Sequence, residues 1–252
     1  MTRRKFLALG VGMLALPAGM TAQAFVEPRQ LRVKKLVLNP GGALRFVHFT
    51  DFHYKGDAAY AEHVIRTINE LEPEFVCFTG DLVEDAHFAP AALAFIREIK
   101  APVFGAPGNH DYRCGAAFPL FRDAFAATGG DWLVDRATVL PQRDFEIVGM
   151  GAVGIHALRP PLATRRLLLL HYPQMSDSLG PPKFDLILAG HSHGGQIRLP
   201  FYGAPVLPWG VGRYDLGYFE SKGGPLYVNP GIGTYQIPWR FNCRPEVTLV
   251  SL

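Results

Sequence analysis

The first half of the chain alternates short apolar runs with segments in which apolar residues recur at helical spacing. The apolar runs predict strands over 31–38, 43–50, 74–79 and 102–106, the first two joined by a turn at 39–42. The amphipathic segments predict helices over 58–71, 89–99 and 116–127. Because strands that alternate with helices form parallel sheets with right-handed crossovers, this half predicts an α/β fold.

The second half contains mostly strand-like runs and few helical ones. They lie near 138–140, 145–153, 166–171, 184–190, 196–199, 214–219, 225–229 and 245–251. We therefore expect the α/β core to close with a second, largely antiparallel sheet. A length of 252 residues, 48% of them hydrophobic, is enough for one domain with a substantial core.

The N-terminal residues have the three parts of an export signal. The basic run Arg3-Arg4-Lys5 precedes apolar residues from Phe6 to Leu16, and Ala22-Gln23-Ala24 offers small residues for cleavage. This pattern is typical of a twin-arginine signal. The alternative is an uncleaved anchor, although the apolar run is shorter than the ~20 residues that a spanning helix needs.

The predicted organisation has three parts. A twin-arginine signal peptide covers 1–24, a linker and first strand cover 25–43, and a single domain covers 44–252. We expect the twin-arginine export machinery to be a partner. The protein would then lie in the periplasm or on the outer face of the cytoplasmic membrane.

Charge and cysteine content exclude two classes of protein. Of the 25 basic residues, Arg3, Arg4 and Lys5 lie in the predicted signal, so the rest of the chain has as many basic as acidic residues. That balance leaves no electrostatic basis for nucleic-acid binding. Three cysteines are too few for a disulfide framework or a cysteine-rich zinc site, although export leaves open a bridge between two of Cys77, Cys114 and Cys243.

Residue types that bind metals stand at the ends of five predicted strands. Because the carboxyl ends of neighbouring strands gather ligands in open α/β sheets, we expect these side chains to lie close together. Each one alone has a structural explanation, such as a cap or a turn, but together they predict a two-metal hydrolase. They are Asp51 and His53, Asp81, Asn109, His171, and the pair His191 and His193. The remaining histidines, His48, His63, His87 and His156, are assigned to no metal.

This ordered set resembles the calcineurin-like metallophosphoesterase superfamily over residues 44–196. The runs 194–200 and 229–233 extend the resemblance to exported and membrane-associated bacterial members, among them UDP-diacylglucosamine pyrophosphatases and twin-arginine signal phosphodiesterases. The resemblance implies a four-layer α/β/β/α sandwich of two mixed sheets flanked by helices. Its active site would lie at the carboxyl ends of the strands.

The resemblance also implies a cofactor and roles for the site residues. Two divalent ions, Mn, Fe, Zn or Co, would activate a shared water for in-line attack on phosphorus. His110 would stabilise the transition state or protonate the leaving oxygen, with Asp111 a candidate to orient it. Asp51, His53 and His193 would hold the first metal, Asn109, His171 and His191 the second, and Asp81 would bridge them.

One departure from the superfamily's protein phosphatases bears on the substrate. Those enzymes carry an arginine shortly after the bridging aspartate, in a Gly-Asp-x-Val-Asp-Arg-Gly pattern, and a glutamate after Asn-His. Here Asp85 stands in place of the arginine and Asp111 in place of the glutamate. Since a dianionic monoester then lacks a bidentate donor, we expect a phosphodiester or pyrophosphate substrate.

Residues 200–213 combine prolines, glycines and aromatic side chains just after the paired histidines. If exposed at the mouth of the site, this loop would suit a lipid-linked phosphoester or peripheral contact with a membrane. The alternative is a loop packed on the second sheet. Two other functions stay open: a broad-specificity phosphomonoesterase, and a non-catalytic metal-binding protein of the cell envelope.

Overall fold

The computed structural model describes residues 18–39, 44–151 and 160–252. Most of the predicted signal, the turn after the first strand, the end of the 145–153 segment and His156 lie outside these ranges. The described α-helices are α1 Ala18–Val26, α2 Ala58–Glu70, α3 Ala89–Arg97, α4 Asn109–Arg113 and α5 Phe118–Ala126. The 3-10 turns are Glu27–Arg29, Ala86–Phe88, Pro141–Arg143, Pro173–Ser178 and His193–Gly195.

Two six-stranded mixed sheets form the centre of the described structure. The first has the order β1-β12-β2-β3-β4-β5 and the second the order β10-β11-β9-β8-β7-β6. In the first sheet the strands are β1 Arg32–Val37, β2 Arg45–Phe49, β3 Val76–Phe78, β4 Val103–Gly105, β5 Asp131–Trp132 and β12 Glu246–Ser251. In the second they are β6 Arg136–Leu140, β7 Phe145–Gly149, β8 Arg165–Leu169, β9 Leu186–Ala189, β10 Gly217–Ser221 and β11 Gly224–Val228.

Alternation along the central strands builds the layers. Val47 and Phe49 of β2 pack with the buried faces of α2, α3 and α5, whereas Phe46 points into the space between the sheets. In β8, Leu167 faces the first sheet and Leu168 faces outward, where the 3-10 segment Pro173–Ser178 contributes to the cover. Both faces of the central strands are thus buried, which explains their nearly continuous apolar sequence.

The predicted fold class, two mixed sheets flanked by helices, is confirmed, but the second sheet is not largely antiparallel. Only β6 with β7 and β10 with β11 pair antiparallel in it, while β7, β8, β9 and β11 run parallel. The antiparallel pairs are joined by connections of two to four residues, and the parallel ones by long connections whose described residues form no α-helix. A run of strands without helices was therefore a misleading indicator of strand direction.

Two C-terminal segments also differ from the prediction. The strand predicted near 245–251 is β12, which inserts between β1 and β2 of the first sheet. Residues 196–199 form only isolated bridges, Ile197 to Phe241 and Leu199 to Gly203. Strand partners depend on tertiary contacts, so hydrophobic pattern alone did not reveal them.

The segment 25–30, which we expected to be a linker, is packed structure. It forms the end of α1 and a 3-10 turn, and the ring of Phe25 lies edge-on to Trp239 at 5.3 Å. The buried carboxylate of Glu27 accepts hydrogen bonds from the main-chain N–H groups of Asn242 and Cys243. A buried carboxylate needs such partners, and they attach this segment to the domain.

The cysteines and the helices of the described residues bear on two further expectations, a disulfide bridge and a membrane anchor. Cys77, Cys114 and Cys243 are buried free thiols, so the bridge left open by the sequence is not formed. No described helix combines the length and apolar character needed to cross a bilayer.

Candidate metal centre

The predicted metal-binding residues meet where five strands of the two sheets end. Asp51 and His53 follow β2, Asp81 follows β3, and Asn109 follows β4 as the first residue of α4. His171 follows β8, and the pair His191 and His193 follows β9. The edge shared by the two sheets therefore collects all seven residues.

One group of possible ligands consists of Asp51, His53 and His193, whose ligand atoms lie within 4.8 Å of one another. The Oδ1 atom of Asp51 is 3.4 Å from Nε2 of His193 and 3.9 Å from Nε2 of His53. All three residues are buried. A carboxylate and two imidazoles at this spacing suit a borderline divalent cation.

A second group consists of Asp81, His171 and His191. Nε2 of His171 lies 3.2 Å from Oδ2 of Asp81 and 3.2 Å from Nδ1 of His191. The same Asp81 oxygen is 3.6 Å from Nε2 of His53 in the first group. Asp81 thus stands between the two groups, as a carboxylate shared by two metals must.

Two candidate ligand atoms fit a metal because neither forms a hydrogen bond with a described residue. Nε2 of His53 and Oδ1 of Asn109 are buried and form no hydrogen bond among the described residues. An unpaired buried polar atom is costly and rare in native proteins. A cation would satisfy both atoms, so the residues present fit the two-metal site.

Five of the seven candidate ligands have a strained backbone conformation with positive φ. Non-glycine residues seldom adopt positive φ, and each such conformation costs on the order of 1 kcal/mol or more. Such strain clusters at functional sites because the side chain is needed there. The five strained ligands are Asp51 (51°), His53 (43°), Asp81 (61°), His191 (66°) and His193 (51°).

Hydrogen bonds on the far side of the ring orient His171 and His191. Nδ1 of His171 donates to the carbonyl oxygen of Thr79 at 2.7 Å, which leaves its Nε2 free to bind a cation. Nε2 of His191 donates to the carbonyl oxygen of Trp209 at 2.7 Å, which leaves its Nδ1 free. Burial lowers the pKa of His191 to about 3, so the His191 ring is neutral.

The carboxylate of Glu84 lies beside the far nitrogen of the His53 ring, a contact that the sequence did not predict. Nδ1 of His53 lies 3.1 Å from Oε1 of Glu84, and the same oxygen is 2.8 Å from Nζ of Lys55. Glu84 follows the bridging aspartate by three residues, at the position of the second aspartate in the phosphatase pattern. The position of Glu84 in this pattern could have indicated a site residue. Its contact with His53, however, depends on the fold.

Close main-chain approach holds the carboxylates in place. The main-chain N–H of His191 donates to Oδ2 of Asp51 at 2.9 Å, and that of His110 donates to Oδ1 of Asp81 at 2.7 Å. Gly190 makes the first contact possible, because a Cβ there would lie 2.3 Å from Oδ2 of Asp51. The glycine before the paired histidines therefore serves the metal centre directly.

The structure gives Asp111 a different role from the one expected. Its carboxylate accepts hydrogen bonds from the main-chain N–H groups of Asp81 (2.8 Å), Leu82 (2.9 Å) and Gly108 (2.8 Å). Both oxygens are therefore engaged by the backbone and do not orient the His110 ring. Asp111 instead joins the loop after β3 to the loop after β4.

His110 lies at the mouth of the centre. Its half-buried ring is 5.0 Å from the ring of His53 and 4.9 Å from that of Tyr235, between ring centroids. Burial lowers its pKa below the usual value. Tyr235 was not predicted as a site residue, because it comes from a loop far away in sequence.

The other histidines stay outside the centre, as expected for those that the structure describes. His48 is buried in β2 and forms a 2.9 Å hydrogen bond with Thr79 through Nε2. His63 lies on α2, and His87 is exposed in a 3-10 turn.

Comparison with known proteins agrees with this geometry. Residues 44–195 match the family described as calcineurin-like phosphoesterase. The chain belongs to this family. Calcineurin-like phosphoesterases use two divalent metals, and the two ligand groups provide for them here. The predictions of a two-metal cofactor and of a hydrolase acting on phosphoester bonds are confirmed.

Two relatives of this calcineurin-like phosphoesterase align along its whole length. Phosphodiesterase YaeI of Escherichia coli (strain K12) is 31% identical over 100% of this chain and 99% of its own. YkuE of Bacillus subtilis (strain 168), an uncharacterized metallophosphoesterase, is 30% identical over 100% and 98%. Among solved structures, a novel archaeal phosphodiesterase aligns with 75% of this chain and 84% of its own, at 11% identity and a TM-score of 0.44.

Proposed function

We propose that this calcineurin-like phosphoesterase is an exported enzyme that hydrolyses phosphodiester or pyrophosphate bonds in a lipid-linked substrate. The proposal depends most on the position of Asp81. Its Oδ2 atom lies 3.2 Å from Nε2 of His171 and 3.6 Å from Nε2 of His53, between the two ligand groups. Two cations held close together by a shared carboxylate stabilise both the attacking and the leaving oxygen of an in-line phosphoester hydrolysis.

The side chains of the centre have different roles in the proposed reaction. When bound, the two cations supply Lewis-acid activation of water and neutralise charge on the phosphate. His110, at the open side, donates a hydrogen bond or a proton to the leaving oxygen. Asp51, His53 and His193 would hold one cation, Asn109, His171 and His191 would hold the other, and Asp81 would be shared between them.

The preference for diesters and pyrophosphates is supported by the surroundings of position 85. Asp85 is exposed, and its carboxylate accepts the main-chain N–H of His87 at 2.8 Å, which begins a 3-10 turn. A guanidinium fork for a dianionic monoester is absent from this position. The name of the Escherichia coli relative, a phosphodiesterase, agrees with this preference.

A lipid-linked substrate is supported by the loop 200–213. The relative exposure is 111% for Phe201, 73% for Tyr202 and 85% for Trp209, so these side chains are not packed on the second sheet. The carbonyl of Trp209 contacts His191, which places this aromatic surface beside the metal centre. Exposed aromatic side chains suit an acyl chain or the interface of a membrane. Export by the twin-arginine route would bring the enzyme to such a membrane.

The test is a panel of substrates given to the metal-loaded protein. Bis(p-nitrophenyl) phosphate, p-nitrophenyl phosphate, a lipid-linked pyrophosphate diester and a phospholipid are compared for wild type, Asp81→Asn and the nearby control Asp85→Asn. We expect faster turnover of the diester or pyrophosphate than of the monoester, loss of turnover in Asp81→Asn and its retention in Asp85→Asn.

Other results would support the alternatives. Faster turnover of the monoester would indicate a broad phosphomonoesterase. No turnover of any ester by a protein carrying both metals would indicate a metal-binding protein without catalysis. Unchanged turnover in Asp81→Asn would exclude the two-metal mechanism.

A further inference from the structure

The short helix α4 carries a cation toward the mouth of the metal centre. Asn109, its first residue, is a candidate ligand, and Arg113 follows four residues later. Residues four apart share one face of a helix and are separated by about 6 Å along its axis. The buried Asn109 side chain and the exposed Arg113 side chain therefore project on the same side, one turn apart.

His110, three residues before Arg113, shows that this side of α4 faces the metal centre. Residues three and four apart are neighbours on a helix surface, so Arg113 lies beside both Asn109 and His110. The ring of His110 lies 5.0 Å from that of the candidate ligand His53, between centroids. The exposed guanidinium of Arg113 therefore lies about one helical turn from the open side of the centre.

The other cations near the centre are already engaged. Nζ of Lys55 is 2.8 Å from Glu84, and Nη1 of Arg198 is 2.9 Å from Asp215. Arg240 is fully buried and donates to main-chain carbonyls, including that of Gly233. Arg113, by contrast, forms no ion pair or hydrogen bond with any residue of the described ranges, so its guanidinium is available to an anion from solution.

We propose that Arg113 binds a second phosphate group of the substrate, adjacent to the phosphate at the metal centre, and makes the enzyme selective for pyrophosphate diesters over simple phosphodiesters. A guanidinium matches phosphate oxygens with two parallel hydrogen bonds. Position 85 lacks an arginine, whereas Arg113 lies on the same side of α4 as the candidate ligand Asn109. This inference rests on the proposed phosphoesterase activity and narrows its substrate.

The test compares two substrates in four proteins. Initial rates with a nucleoside diphosphate sugar and with bis(p-nitrophenyl) phosphate are measured for wild type, Arg113→Ala and Arg113→Lys, with Arg122→Ala, an exposed arginine on α5, as control. Loss of a charged hydrogen bond should lower kcat/KM for the pyrophosphate by about 10- to 100-fold more than for the simple diester. Arg113→Lys should recover part of this selectivity, mainly through KM, and Arg122→Ala should behave as wild type.

A binding measurement separates this inference from the proposed function. Calorimetric titration of the metal-loaded protein with inorganic pyrophosphate should show weaker binding in Arg113→Ala than in Arg122→Ala, with the metal content of both unchanged. Equal loss of kcat/KM on both substrates, or pyrophosphate binding unaffected by Arg113→Ala, would overturn the role of Arg113. Turnover of diesters but not of pyrophosphates by the wild-type protein would also overturn the role of Arg113. The proposed phosphoesterase activity would remain supported in that case.

Discussion

The Nε2 atom of His191 lies 2.7 Å from the main-chain carbonyl oxygen of Trp209. Because a carbonyl only accepts, this contact places the proton of the ring on Nε2 and leaves Nδ1 facing His171. The side chain of the same tryptophan is 85% exposed. One residue of the loop therefore orients a candidate metal ligand and presents an aromatic surface to solvent.

This contact predicts that Gly210→Ala weakens the second metal site. Gly210 has φ of 93°, and a Cβ there would lie 2.6 Å from Cδ1 of Tyr172, so the loop must move and carry the Trp209 carbonyl away from His191. Loss of a hydrogen bond that orients a metal-binding histidine lowers metal affinity or activity by about 10- to 100-fold. Metal content after dialysis and kcat on bis(p-nitrophenyl) phosphate are the measurements.

The matched control for that variant is Gly203→Ala in the same loop. Its φ is 83°, but the nearest atom to a new Cβ is Nη2 of Arg198 at 3.7 Å. It therefore carries similar backbone strain without touching the metal centre. Equal losses in both variants would attribute the effect to backbone strain alone.

Glu84→Gln is expected to weaken the first metal site. Burial opposes ionisation of Glu84, but His53 and Lys55 outweigh it and lower the pKa of the carboxyl to about 2, so it is charged at neutral pH. Replacing the charge with an amide of the same shape should lower metal affinity by about 10- to 100-fold. Competition with a chelator measures this affinity, and Asp85→Asn is the control. Wild-type affinity in Glu84→Gln would limit the role of Glu84 to its ion pair with Lys55.

Asp111→Ala is expected to reduce stability. The change leaves three main-chain N–H groups without their acceptor, at a cost of about 3 kcal/mol in the free energy of unfolding. Urea unfolding of the metal-free protein measures it, with the exposed Asp123→Ala on α5 as control. If Asp111 oriented His110 instead, activity would fall while the free energy of unfolding stayed constant.

His48 predicts a loss of stability in acid. Burial lowers its pKa in the folded protein to about 3, whereas the unfolded chain has a value of about 6.5. Between these values the unfolded state binds more protons, so stability is complete above pH 6.5 and falls by up to about 1.4 kcal/mol per pH unit below it. Urea unfolding of the metal-free protein at pH 7.5, 6 and 5 should show a smaller loss for His48→Gln than for wild type. The exposed His87→Gln should follow wild type, and identical slopes in all three would contradict the assignment.

The sequence predicted which residues come together at the candidate metal centre, because they stand at strand ends. Asp51, Asp81 and His171 each follow an apolar run, and the carboxyl ends of those strands meet in any sheet of this type. The sequence did not correctly predict the contacts of the residue beside His110. Asp111 was expected to act on the adjacent His110, whereas its carboxylate binds the backbone of another loop.

The sequence by itself determined the α/β class, the family, and the residues that converge on the metal centre, because apolar strands with polar ends are local patterns. Only the tertiary structure decided the direction of the second sheet, the insertion of β12 beside β2, and the contacts of Glu84 with His53 and of Trp209 with His191. These join residues from 18 to about 200 positions apart, where chain closure and packing, not local preference, select the partner.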